Sequence, residues 1–150
     1  MSKLTDIKNR IDQMDGGAFQ NLCDAYLSYK GYKNGYSLGM RTGTDKTAKG
    51  NPDTYFLTAE NKYVFVMYTT QKTDFLKKAI EDIDKCFDSQ KTGVSAKDIA
   101  EIIYCHTYGR LGPGNDQYLR RYCEEHGAVL TLIGVDQLAT DIFHEYPILA

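Results

Sequence analysis

The sequence predicts an α/β domain with a central mixed sheet and helices on both faces. Three observations carry that expectation. Strand-like and helix-like segments alternate through the second half of the chain, the order that builds layered α/β structures. The stretch "YVFVMYTT", residues 63–70, is apolar on both of its alternating faces, as suits a central strand covered from both sides. The segments between strands repeat apolar residues at the three-and-four spacing of core-facing helices.

The elements run in order. Leu4, Ile7, Ile11 and Met14 mark one face of a short helix that stops at Asp15-Gly16-Gly17. Phe19, Leu22, Cys23, Tyr26 and Leu27 form the stripe of a second helix ending at Gly31. A short strand is expected around Tyr36 to Met40, then a polar loop. Thr54–Thr58 and Tyr63–Thr70, joined by "AENK", read as a β-hairpin. A helix comes next, from about Thr73 to Asp88, with Phe75, Ala79, Ile83, Cys86 and Phe87 inward. Ser95–Glu101 make a helical turn feeding the strand "IIYCHT". Asn115 is the expected cap of a helix carrying Leu119, Tyr122 and Cys123. "AVLTLIG" is a further buried strand. The last helix turns Leu138, Ala139, Ile142, Phe143 and Tyr146 to one side.

The chain has 150 residues, one domain's worth, with 42% hydrophobic and 25% charged residues. Its 18 basic and 20 acidic residues leave a formal charge of −2. Any nucleic-acid contact must therefore come from a local patch rather than from bulk charge. No apolar run approaches the roughly 18 residues of a membrane span, and "MSKLTDIKNRIDQ" lacks a signal peptide's apolar centre. Cys23, Cys86, Cys105 and Cys123 lie far apart without CxxC spacing, which reads as buried free thiols in a reducing cytoplasm. The expectation is a cytoplasmic protein away from membranes.

The hairpin holds the residues that could carry chemistry. Hydrolysis of a phosphodiester by a divalent metal needs converging carboxylates, a group that orients water and a cation that offsets charge. Asp53 stands at the opening of the first strand. Met67 and Thr69 share one face of the second strand, Gln71 continues it, and Lys72 comes at the strand's end. Pro52-Asp53 also has a plain reading as a turn opener, and Met67 one as core packing.

This pattern resembles the PD-(D/E)xK nuclease superfamily over roughly residues 15–134, in the order of its elements and in "GNPDTYFL…YVFVMYTTQK". It looks most like a bacterial subgroup that writes the second strand as acid-Tyr-Thr-Thr-Gln. Those domains often stand at the N-terminus of large defence-type NTPases, and "DQLATDIFHEYP" resembles the segment that joins the module to its neighbour there. The resemblance implies a restriction-endonuclease-like fold and a DNA endonuclease using Mg²⁺ or Mn²⁺. It makes Asp53 a metal ligand, and makes Thr69 and Gln71 stand-ins for the motif's lysine and its neighbour, with Lys72 beside them.

The chain departs from the pattern where Met67 replaces the second acid, since a thioether is a poor ligand for a hard cation. Gln20 falls near the place of a helix acid, with Asp24 one turn on. A catalytically silent descendant that binds nucleic acid or mediates assembly is the alternative, and a homo-oligomer stays open. The chain reads as one nuclease-like domain, residues 1–150, and as a module of a longer parent protein or one with a natural terminus.

Two loops complete the reading. Arg41, Lys46 and Lys49 against Asp45 give "RTGTDKTAKGN" a charge of +2 and a means of tracking a DNA backbone. "YGRLGPGN" lies at a strand's carboxyl end, where Arg110 could reach a phosphate. Cys105 and His106 are adjacent on a strand and so face opposite ways, which excludes them as a nucleophile pair.

Overall fold

The computed structural model describes residues 3–32, 36–37, 53–109 and 111–145. Arg41, Lys46, Lys49, Arg110 and Tyr146 lie outside the described residues. The element order is α1 (Lys3–Asp12), α2 (Gly16–Tyr29), β1 (Tyr36–Ser37), β2 (Thr54–Leu57), β3 (Tyr63–Thr69) and α3 (Phe75–Phe87). Then come α4 (Ser89–Thr92), a 3₁₀ turn (Ala96–Asp98), β4 (Ile99–His106), α5 (Pro113–Glu124), β5 (Val129–Ile133) and α6 (Val135–His144).

The strands form one mixed sheet in the order β1-β2-β3-β4-β5. β1, β2 and β3 pair antiparallel, while β3, β4 and β5 run parallel. The two apolar faces of β3 are explained by its place: it is paired on both edges, and each of its faces meets a helical layer. Val64 and Val66 pack with Ile7 and Ile11 of α1, Phe19, Cys23 and Leu27 of α2, and Leu138 and Ile142 of α6. Phe65 and Met67 pack on the other side with Phe75, Ala79 and Ile83 of α3 and Leu119 and Cys123 of α5. The α/β expectation, with a mixed sheet covered on both faces, therefore holds. All four cysteines are free and buried, and among the described residues no helix is long and apolar enough to cross a membrane.

Local chemistry sets the element ends. Asp15 caps α2, its Oδ1 accepting the N–H of Ala18 at 2.8 Å. The hairpin closes through the Thr58 N–H to the Lys62 carbonyl at 2.8 Å, with Asn61 at φ 60° in the turn. Helix α5 starts earlier than expected. Its N-cap is Gly112 and Pro113 takes the first turn, so Asn115 lies inside the helix. Proline at that position loses no hydrogen bond and arrives with a helical φ, which outweighs a polar cap three residues later. β4 also starts earlier, at Ile99, because the preceding turn closes in three residues. At the sheet's far edge, Arg120 of α5 donates Nη1 to the Leu130 carbonyl of β5 at 2.8 Å while its Nε is held by Asp116 at 2.6 Å.

Candidate functional site

Asp53 immediately precedes β2, where Thr54 pairs with Val66 of β3. Continuing that register by one step sets Asp53 across from Met67. The Asp53 carboxylate bends along the neighbouring strand, and its Oδ2 accepts the Tyr68 N–H at 3.1 Å. It opens into a half-enclosed pocket of about 230 Å³ whose walls include Gln20 of α2, Tyr68 and Thr69 of β3, Thr70, and Lys78 of α3.

Two acids flank Asp53, and each is already engaged. Asp82, 3% exposed on the inner side of α3, accepts the Tyr104 hydroxyl at 2.7 Å and the Lys78 ammonium at 3.0 Å. Asp24 accepts the Tyr68 hydroxyl and, at 3.0 Å, the Thr54 hydroxyl. Burial pushes the Asp53 carboxyl up to about 6; the Tyr68 N–H opposes this, Asp82 adds to it, Lys78 lowers it, and Asp24 raises it further. The Tyr104 and Tyr68 hydroxyls are held far above the usual phenol range, by burial first and then by the carboxylates they donate to.

Of the residues singled out from the sequence, Asp53, Gln20 and Thr69 meet in this pocket. Met67 does not line it. Its side chain is 4% exposed and belongs to the core between the sheet, α3 and α5. Gln71 leaves the strand's face because β3 ends at Thr69. Its N–H donates to Thr69 Oγ1 at 3.1 Å and its exposed amide to the Thr73 carbonyl at 2.7 Å. Lys72 points elsewhere, bound to Asp12 Oδ1 at 2.6 Å and the Thr107 carbonyl at 3.0 Å, and so ties the strand end to α1.

The cation of the pocket is Lys78, a residue whose place near the start of a helix suggests only a solvated face. A signal for it existed. Asp82 falls among the apolar positions Ala79, Ile83 and Cys86, and a carboxylate on a buried stripe calls for a partner one turn away.

The donors present do not fit a hard divalent cation. Mg²⁺ and Mn²⁺ take several oxygen ligands with carboxylate charge among them. Here Asp53 is the one carboxylate facing the pocket without a side-chain partner among the described residues, and an ammonium lies in the same space. Among the described residues no group of three His, Cys, Asp or Glu side chains could hold a metal ion.

A second pocket, about 300 Å³, lies at the carboxyl ends of β4 and β5 over His106, whose imidazole burial pushes down to about 4. Cys105 faces the α1–α2 side of the sheet, so the two residues point apart, as strand alternation requires. No family model matches the sequence, and no curated protein matches it.

Proposed function

We propose that the chain is a DNA-directed, endonuclease-type effector domain of a bacterial defence protein, with a restriction-endonuclease-like fold. Its Asp53 pocket receives a backbone phosphodiester, and Met67, in place of the second carboxylate, holds cleavage down. The observation that carries this reading is the convergence of Asp53, Gln20, Thr69 and Lys78 on one pocket at the end of the hairpin. An acid at a strand start, an amide from the preceding helix and a cation beside them are the parts that bind and polarise a phosphodiester.

In this reading Asp53 is the group that would orient a water or a metal, Lys78 offsets phosphate charge, and Thr69 and Gln20 hydrogen-bond the phosphate or its water. The basic residues Arg41, Lys46 and Lys49 would add backbone contacts. DNA, further domains of a parent chain and a homo-oligomer belong to the proposal as partners, and a Mg²⁺ or Mn²⁺ requirement belongs to it only once a second carboxylate is restored.

A silent nucleic-acid-binding or assembly module is the second reading, favoured by the burial of Met67 in the core beside Asp53. Plasmid cleavage in Mg²⁺ and Mn²⁺ by the native chain and by Met67→Glu separates the two. Cutting by Met67→Glu, abolished by Asp53→Ala, supports the nuclease reading. DNA binding without cutting by either protein supports the silent module, and neither binding nor cutting overturns both DNA readings.

A further inference from the structure

We propose that the Asp53 pocket holds a phosphodiester group directly, without a divalent cation, between Lys78, Gln20 and Thr69. This rests on the DNA reading above and specifies how the chain, as it stands, meets its ligand.

The strongest sign of a ligand is Gln20. It is 2% exposed, it lines the pocket, and its Nε2 has no hydrogen-bond partner among the described residues. A buried amide left unpaired is costly, and a bound oxygen would satisfy it. Lys78 supplies the charge. Asp82 takes one of its three ammonium protons and already has the Tyr104 hydroxyl. The remaining ammonium protons can therefore serve an anion without leaving Asp82 unpartnered. Thr69 Oγ1 accepts from the Gln71 N–H, so its own proton is available to donate.

Asp53 limits what can be held. Its carboxylate repels an anion, while the Lys78 ammonium attracts one. A singly charged diester seated on the Gln20–Lys78 side meets that balance better than a doubly charged terminal phosphate. A divalent cation in the same space would instead have to displace or lie beside the ammonium.

The test uses dimethyl phosphate as the probe, titrated into the native chain in EDTA, with the Gln20 side-chain amide observed by NMR. Saturable shifts are expected without metal, weakened about tenfold in Lys78→Gln, a change at a partly exposed position. In Gln20→Glu, which keeps the shape but replaces the donor with a carboxylate, binding read on the neighbouring Thr69 amide is expected to vanish. Shifts that need Mn²⁺, or a Gln20→Glu protein that gains Mn²⁺ affinity while Lys78→Gln changes nothing, would overturn the proposal.

A short DNA duplex run in parallel separates the two levels. Dimethyl phosphate bound while the duplex is not removes the DNA reading and keeps the phosphate site. Duplex binding unaffected by Lys78→Gln, with no dimethyl phosphate bound, does the reverse.

Discussion

The backbone N–H of Tyr68 donates to Asp53 Oδ2 at 3.1 Å, so the acid of the first hairpin strand is held by the second. The hydroxyl of the same tyrosine reaches Asp24 on α2. One residue thus fixes the carboxylate through its backbone and the helix through its side chain. Replacing it with Phe keeps the backbone bond to Asp53 and removes the hydroxyl from a partly buried carboxylate. Tyr68→Phe is expected to cost about 1–2 kcal/mol in urea unfolding.

Met67→Glu puts a carboxylate into a site that is 4% exposed and next to Asp53. Without a cation to share, it should destabilise the fold by about 3 kcal/mol. Adding Mn²⁺ should raise the melting temperature of this variant and leave that of the native chain unchanged. Thermal unfolding of both proteins with and without Mn²⁺ checks it.

Acid titration should show two opposed contributions. Asp53 titrates at about 6 in the fold against an ordinary 3.8, so its contribution is present below 3.8 and lost as pH rises through 6. His106 titrates at about 4 against 6.5, so its contribution is present above 6.5 and lost as pH falls through 4. Each is worth about 3 kcal/mol, and between pH 4 and 6 they offset one another. Asp53→Asn should therefore unmask a loss of stability toward acid, and His106→Gln a gain. Urea midpoints measured across this range decide it.

Gly134 lies against the His106 ring, where an added Cβ would come within 3.1 Å of Cε1. Gly134→Ala is expected to cost about 1–2 kcal/mol, because a ring packed on Phe75 at 4.9 Å has little room to move. Gly16→Ala, with nothing within 4 Å of its Cβ, should be neutral or slightly stabilising. Denaturation curves of the two variants give the comparison.

Lys72 bonds Asp12, but both side chains are about half exposed. Lys72→Met should change stability by less than about 1 kcal/mol. It should leave plasmid cleavage by Met67→Glu unchanged, whereas Lys78→Gln in that background should reduce it. Cleavage rates of the two double variants compare the lysines directly.

The sequence was most readable where burial is periodic. The stripe of α2 and the two apolar faces of β3 name their own partners, because a helix buries one face and a central strand buries two. Asp53 was readable as an acid at a strand start, and Thr69 by its alternation with Met67. Lys72 and Lys78 were not told apart. Where a lysine goes depends on which acid lies near it in space, and Asp12 and Asp82 come from different layers of the fold. Gln71 was misplaced for a local reason, since alternation stops when the strand stops at Thr69.

The contact of Arg120 with the Leu130 carbonyl has a consequence for self-association. An outermost strand with free carbonyls is a template on which another chain can add a strand, and growth by that route leads to fibrils. Here a guanidinium anchored by Asp116 occupies one of those carbonyls and sets a positive charge along β5. Exposed Val129, at 61%, would otherwise leave that edge adhesive. The arginine works as a gatekeeper, and copies of the chain that meet along β5 are turned away before their backbones can join.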